Sequence, residues 1–236
     1  MLSLIVAPAD HLILDAEEFK QVCNKAMDFV ENIKALITLG INPTYPNTGY
    51  GYIQHEILPA ADQVYKVKTF TEKPSLEIAK AFLESGDFLW NAGIFVWNVK
   101  SIHKAFQEFL PEMTHEFDTC EYNNDKESIC IETIYPKVEK ISIDNGILEK
   151  AQNVYVIPAD LGWSDLGTWA SLYAEKEKDY LQNAVNGKNV VVYDSNNNII
   201  NVPDKKLVVI QGLENYIVVD TDDVLLICSK DEEQRI

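Results

Sequence analysis

The apolar run Val154-Tyr155-Val156-Ile157-Pro158 leads into Gly162-Trp163-Ser164-Asp165-Leu166-Gly167-Thr168-Trp169, and that succession limits the folds open to this chain more than any other stretch. Continuous rather than alternating hydrophobicity over strand length predicts a strand covered on both faces. The residues that follow, Thr168–Lys178, read as a helix. Strand, turn and helix in that order are the unit of a layered α/β fold, in which ligands are held outside the carboxyl ends of the strands. Asp165 lies in the turn, two glycines let the backbone fold tightly around it, and Trp163 and Trp169 are placed to wall it against water. Taken alone, the aspartate fits two roles, a cap for the following helix or a ligand-binding carboxylate.

Upstream, the same texture recurs. Leu2–Ala7 is a continuous apolar run and reads as a parallel, doubly covered strand, with Asp10 just beyond its end. Asp15 with Glu18 predicts a capped helix whose buried face is Phe19, Val22, Cys23, Ala26, Val30 and Ile33. Ala35–Leu39 reads as a strand ended by Gly40, and Val64–Thr71 as another closed by Glu72-Lys73-Pro74. Ser75 and Gly86 bracket a helix from Leu76 to about Ser85. Asn91-Ala92-Gly93 precedes a strand over Ile94–Val99, and helices are predicted over Ser101–Phe109, from Pro111 to about Asn124, over Lys126–Val138 and over Ser142–Glu149. After Asp179 the helices stop. Val190–Tyr193, Ile199–Val202, Leu207–Ile210, Tyr216–Val219 and Val224–Cys228 are short β-rich runs separated by turns, which predicts a separate all-β element, a small sandwich or the coils of a β-helix.

Charge and cysteine usage narrow the function. A formal net charge of −17 leaves no basic stripe to neutralise nucleic-acid phosphates, so a phosphate-ester ligand would need a divalent cation and a few local lysines. Cys23, Cys120, Cys130 and Cys228 form no C-x-x-C pair and no secretory signal precedes them, so they read as reduced thiols of a cytoplasmic protein. Neither a zinc cluster nor an apolar run long enough to cross a membrane is expected, and neither G-x-S-x-G nor H-E-x-x-H occurs.

The candidate site residues sit where chain direction changes. Asp10 and Asp165 share the position just past a strand end, and two such carboxylates suit one Mg²⁺, which takes one or two protein carboxylates plus waters and substrate phosphates. Each also reads as a turn residue. Lys73 can pair a phosphate as a point charge while Glu72 accepts from hydroxyls, although an exposed Glu-Lys pair can equally be solvated surface. Asn91, which both donates and accepts, suits a sugar hydroxyl, and Gly51 and Gly93 would allow close approach to backbone.

Pro8-Ala9-Asp10-His11, Thr48–Ile53, Phe70–Pro74, Trp90–Phe95 and Gly162–Trp169 occur in one order, and that series resembles the sugar-phosphate nucleotidylyltransferases, mannose-1-phosphate guanylyltransferases (GDP-mannose pyrophosphorylases) above all. Gly212–Asn215 and Val218–Asp223 resemble the β-helical end of that family. The resemblance implies an α/β fold, a partial Rossmann-like (GT-A-like) mixed sheet with helices on both faces over residues 1–182, then a left-handed β-helix-like tail over residues 183–236. It implies that Asp10 and Asp165 bind Mg²⁺, that Lys73 contacts the phosphate of mannose 1-phosphate, and that Glu72, Asn91, Gly51 and Gly93 line the sugar site. GTP and GDP-mannose are the implied nucleotide partners, and Asp10, Lys73 and Asp165 the implied catalytic set. The choices of mannose and of GTP rest on the resemblance alone. Alternatives are another hexose-1-phosphate nucleotidylyltransferase, or a non-catalytic module that binds sugar phosphate.

One departure matters. The family opens with a Gly-rich segment carrying Arg and Lys that cradles the nucleotide, and no G-x-G-T-R pattern occurs here. The expectation is that this chain is the C-terminal portion of such an enzyme, with little turnover in isolation and with sheet edges that favour homo-oligomers.

Overall fold

The structure is a computed structural model, and it describes residues 2–120 and 127–235. Contacts divide the chain into two compact units, Met1–Ala9 with Ile13–Trp163, and Asp10–Leu12 with Ser164–Ile236.

The first unit contains β1 (Ser3–Val6), the end of β2 (Leu12–Ile13), α1 (Ala16–Asn32), β3 (Leu36–Ile41), β4 (Tyr52–His55), β5 (Tyr65–Thr71), α2 (Leu76–Ser85), β6 (Phe88–Asn98), α3 (Val99–Phe109), α4 (Pro111–Asp118), α5 (Glu127–Ile134), a π-helical turn (Asp144–Leu148), β7 (Val154–Pro158) and the start of β8 (Trp163–Ser164). The sheet order is β1-β6-β3-β7-β5-β4, with β4 also paired to β6. Only β3 and β7 run parallel, Leu36 opposite Val154 through Gly40 opposite Pro158, so the sheet is mixed. Helices cover both faces because the strand residues alternate. Ile37 and Leu39 of β3 pack with Val22, Ala26, Phe29 and Val30 of α1. Leu36 packs the other way, with Ile102 and Ala105 of α3 and with Ile147 and Leu148 of the π-turn. Each such fully buried aliphatic contributes roughly 1.5–3 kcal/mol of transfer free energy.

Local capping rules hold where only local chemistry decides. The Asp15 carboxylate accepts from Glu18 N at 2.9 Å and starts α1. Ser75 Oγ accepts from Ile78 N, and α2 stops at Gly86 in the left-handed region, φ 74°.

Non-local expectations fared differently. β1 is not a parallel, doubly covered strand: it pairs antiparallel with β6, and Leu4, Ile5 and Val6 are exposed. Gly40 does not end its strand. It lies inside β3, at a register shift, where a Cβ would come within 2.7 Å of both Leu89 Cδ1 and Val156 Cγ2; it is there for space. Asn91-Ala92-Gly93 is likewise inside β6 rather than before it. The helix predicted over Ser142–Glu149 is the π-helical turn, and the one from Pro111 ends at Asp118. Thr119 and Cys120 form a turn and a bend, and residues 121–124 of that prediction, like Lys126 at the start of the next, lie outside the described residues. Cys120 and Cys130 are not reduced thiols. Cys120 follows α4 and Cys130 lies in α5; their Cα atoms are 6.0 Å apart, within bridging range, and they form a disulfide. Their ten-residue separation carries no sequence signature of it. Among the described residues no helix is long and apolar enough to cross a membrane.

The second unit contains α6 (Trp169–Glu175), β9 (Ala184–Asn186), β10 (Val190–Tyr193), β11 (Ile199–Asn201), β12 (Val208–Gln211), β13 (Tyr216–Asp220), β14 (Leu225–Ser229) and a 3₁₀ helix (Lys230–Arg235). β9, β11 and β13 stack in parallel, as do β10 and β12, which is the coil of a β-helix rather than a sandwich. β14 turns back antiparallel on β13. Ile200, Val202, Ile210 and Val218 fill the coils, while Ile199, Ile217 and Val219 face Trp169 and Tyr173 of α6. Trp169 is therefore core packing of this unit. Trp163, in the first unit, packs edge-on against Tyr50.

Candidate functional site

In the first unit the structure brings Gly51, Glu72, Lys73, Asn91 and Gly93 together. β4 pairs with both β5 and β6, Tyr52 lying opposite Thr71 on one side and Trp90 on the other, and this register puts the ends of all three strands side by side. The segment ahead of β4 is strapped between its neighbours, Asn91 N donating to Gly51 O at 2.8 Å and Lys73 N to Tyr50 O at 3.2 Å. Gly51 leaves room for its neighbours: a Cβ there would stand 2.5 Å from Glu72 Oε2 and 3.4 Å from Asn91 Cβ. Lys73 holds a left-handed backbone, φ 45°, uncommon for a residue with a Cβ, and such conformations cluster at ligand sites. Its ammonium lies 3.1 Å from Glu72 Oε1; the lysine side chain is 65% exposed and the glutamate 21%. The cation is therefore open to an incoming anion while the carboxylate is sheltered.

Asn91 has its side chain fixed at both ends. Its Oδ1 accepts from Thr38 Oγ1 at 2.7 Å and from Gly93 N at 3.3 Å, the latter made possible by Gly93 at φ 67°. Its Nδ2 donates to Asp144 Oδ1 at 3.0 Å. Asp144, from the π-helical turn, is the one member that sequence reasoning missed. Burial pushes its carboxyl up from the ordinary value, and the Glu72 carboxylate pushes it further. The available signal was a charged residue inside the run Ile141-Ser-Ile-Asp-Asn-Gly-Ile-Leu148, most of whose apolar neighbours belong to the core. A π-turn in a helix is itself frequent at functional sites. Together these groups offer one open cation, two sheltered carboxylates and an amide, a set suited to a phosphorylated polyhydroxyl ligand.

The other two candidates, Asp10 and Asp165, fall together in the second unit. Asp10 is exposed and Asp165 half-buried. Asp165 is not the cap of the following helix. Thr168 is, its Oγ1 accepting from Ser171 N at 3.1 Å while Thr168 N donates to Ser171 Oγ. Asp165 instead closes the turn before it, Oδ1 accepting from Gly167 N at 3.1 Å, and a Cβ on Gly167 would lie 3.0 Å from Oδ2. Leu166 between them is held at φ 51°. No group of three or more His, Cys, Asp or Glu side chains suited to a metal occurs among the described residues.

Residues 2–182 match the family described as Nucleotidyl transferase, and residues 188–236 the one described as MannoseP isomerase/GMP-like beta-helix domain. The chain is 31% identical to a mannose-1-phosphate guanylyltransferase of Escherichia coli, over 99% of this chain and 51% of that protein. It is 34% identical to one of Salmonella typhimurium, over 99% and 48%. The chain thus spans about half the length of the curated relatives it matches. Among solved structures it is similar to a Thermus thermophilus protein described as a mannose-1-phosphate geranyltransferase, with a TM-score of 0.81 and 29% identity, covering 99% of this chain and 67% of that one. A mixed α/β sheet with a matching sequence over residues 2–182, followed by parallel β-coils that match a second family, makes this chain a member of the nucleotidyl transferase family, with a ManC-like β-helix domain following in the sequence.

Proposed function

We propose that this chain carries the sugar-phosphate-binding and metal-binding residues of a mannose-1-phosphate guanylyltransferase, which converts GTP and mannose 1-phosphate into GDP-mannose and diphosphate. The observation that carries the reading is the cluster of Gly51, Glu72, Lys73 and Asn91, where an exposed ammonium adjoins sheltered hydroxyl-binding groups.

In this reading a phosphate oxygen of the sugar phosphate attacks the α-phosphorus of GTP. The new O–P bond forms as the bond between the α-phosphorus and its bridging oxygen breaks, and diphosphate leaves. No covalent enzyme intermediate is needed, so the protein contributes position and charge. Lys73 neutralises and orients the phosphate of mannose 1-phosphate. Glu72 and Asn91 fix the hexose through its hydroxyls, Gly51 letting Glu72 close in, and Gly93 holds the Asn91 carbonyl. Asp10 and Asp165 would hold Mg²⁺, which supplies positive charge against the phosphates. The reading makes mannose 1-phosphate, GTP and GDP-mannose the small-molecule partners, places the work in the cytoplasm, takes residues 1–182 and 183–236 as the two domains, and adds self-association through the exposed apolar residues of β1.

The test is ligand-observed NMR with this chain and mannose 1-phosphate, with glucose 1-phosphate and inorganic phosphate as competitors. Saturable binding of mannose 1-phosphate that Lys73→Ala abolishes is expected. Preference for glucose 1-phosphate would move the protein to another hexose-1-phosphate nucleotidylyltransferase, and no binding of either sugar phosphate would sink the assignment of this cluster.

A further inference from the structure

The Asn91 amide is pinned by two partners that leave no ambiguity. Gly93 N can only donate, at 3.3 Å, so the side-chain atom it meets is the carbonyl oxygen. The Asp144 carboxylate, at 3.0 Å on the other side, accepts, so the atom it meets is the nitrogen. Asp144 comes from the π-helical turn, an element apart from the strands that carry Asn91 and Glu72, and its backbone is fixed by the apolar packing of Ile147 and Leu148. One N–H of Asn91 remains uncommitted among the described residues. Burial of an acidic side chain beside a second carboxylate opposes folding and has no evident structural return.

We propose that Asp144 is a positioning residue of the hexose site: through its hydrogen bond to Nδ2 it holds the Asn91 amide with its remaining N–H presented to a sugar oxygen. The proposal rests on the assignment of this cluster to a hexose phosphate. It makes the required property an acceptor oxygen at position 144, whether or not that oxygen carries a charge.

The experiment is a double-mutant cycle on mannose 1-phosphate binding to this chain, with Asp144→Ala, Asn91→Ala, the double variant, and Asp144→Asn as the conservative replacement. Asp144→Ala is expected to weaken binding about tenfold, in line with loss of one hydrogen bond. The double variant should be no weaker than the poorer single, because both changes remove one device. Asp144→Asn, whose amide oxygen can accept the same bond, should stay within about threefold of the parent. A merely structural aspartate would lower the melting temperature but would neither be rescued in this way nor lose its effect once Asn91 is gone. Multiplying effects in the double variant, or an unaltered affinity in Asp144→Ala, would overturn the proposal. A ligand-free readout separates its failure from that of the site assignment. The Asn91 side-chain amide resonances in ¹H–¹⁵N spectra should shift in Asp144→Ala and return in Asp144→Asn; if they do so while mannose 1-phosphate fails to bind, the positioning stands and only the identity of the ligand falls. Resonances indifferent to both changes overturn it outright.

Discussion

Asn198 in the β-coil unit and Asn91 in the sheet unit are the same residue put to opposite uses. Asn198 is completely buried; its Oδ1 accepts from Tyr216 N at 2.8 Å, and its Nδ2 donates to Asn183 Oδ1 and to Leu213 O, each at 2.9 Å. Asn183 in turn donates to Ser195 O at 2.9 Å. These side chains stitch one coil to the next, and both hydrogens of the Asn198 amide are consumed by the protein itself. Asn91 is half-buried, its amide has a hydrogen to spare, and its partner is a carboxylate rather than backbone. A buried amide that the fold satisfies is scaffold, whereas a fixed amide with capacity left over is equipped for something the fold does not contain.

That contrast can be broken by substitution. The largest effect is expected at Asp165, the residue of the second unit placed on the ligand side of the comparison. Asp165→Asn should weaken Mg²⁺ binding on the order of 10³-fold, about 4 kcal/mol, with the circular dichroism unchanged because Thr168 is the helix cap. Unaltered Mg²⁺ affinity would return Asp165 to the scaffold. Next comes Asn198→Ala, which removes three side-chain hydrogen bonds and should lower unfolding stability by about 3 kcal/mol while leaving mannose 1-phosphate affinity alone. A loss under about 1 kcal/mol in urea titration would show that the coils do not depend on this ladder. Gly51→Ala should do the reverse. Its methyl group would displace the Glu72 carboxylate, so sugar-phosphate affinity should fall about tenfold with little change in melting temperature.

The smallest effect is a pH dependence. The folded state raises the Asp144 pKa above its unfolded value, so between the two the native chain binds more protons than the unfolded one. Stability therefore falls as pH rises from about 4, the unfolded value, through the folded one, and the cost of ionising Asp144 is complete above it. Asp144→Asn should be more stable than the parent above that window and should lack this part of the slope. Parallel stability profiles for the two proteins would show that ionising Asp144 costs the fold nothing.

What could be read from sequence divides along the same physical line. α2 was legible to the residue because Ser75 and Gly86 act within one turn of themselves. The tail was legible as short, turn-separated strands; coils in preference to a sandwich came only from the resemblance to a β-helical family, since the choice depends on which strand lies over which. Gly40 reads as a terminator locally and is a spacer because Leu89 and Val156 crowd it from two other strands. In the site, Glu72, Lys73, Asn91 and Gly51 stood out by residue type and by motif order. Asp144 did not, because its meaning comes from a contact with a residue 53 positions away. The Cys120–Cys130 bond was hidden for a related reason: the two cysteines meet in space, and spacing alone says nothing of that.

The reversal at β14 has a consequence for assembly. Parallel coils end in an edge that invites another strand, and a stack of like rungs from separate molecules could extend without limit. Here the chain doubles back, β14 lying antiparallel on β13, and a 3₁₀ helix of charged residues follows directly, anchored by Lys230 over the Tyr173 ring and by Glu233 accepting from Ala170 N. The change of direction breaks the run of parallel rungs, so the edge that β14 presents is not a further copy of the coil beneath it.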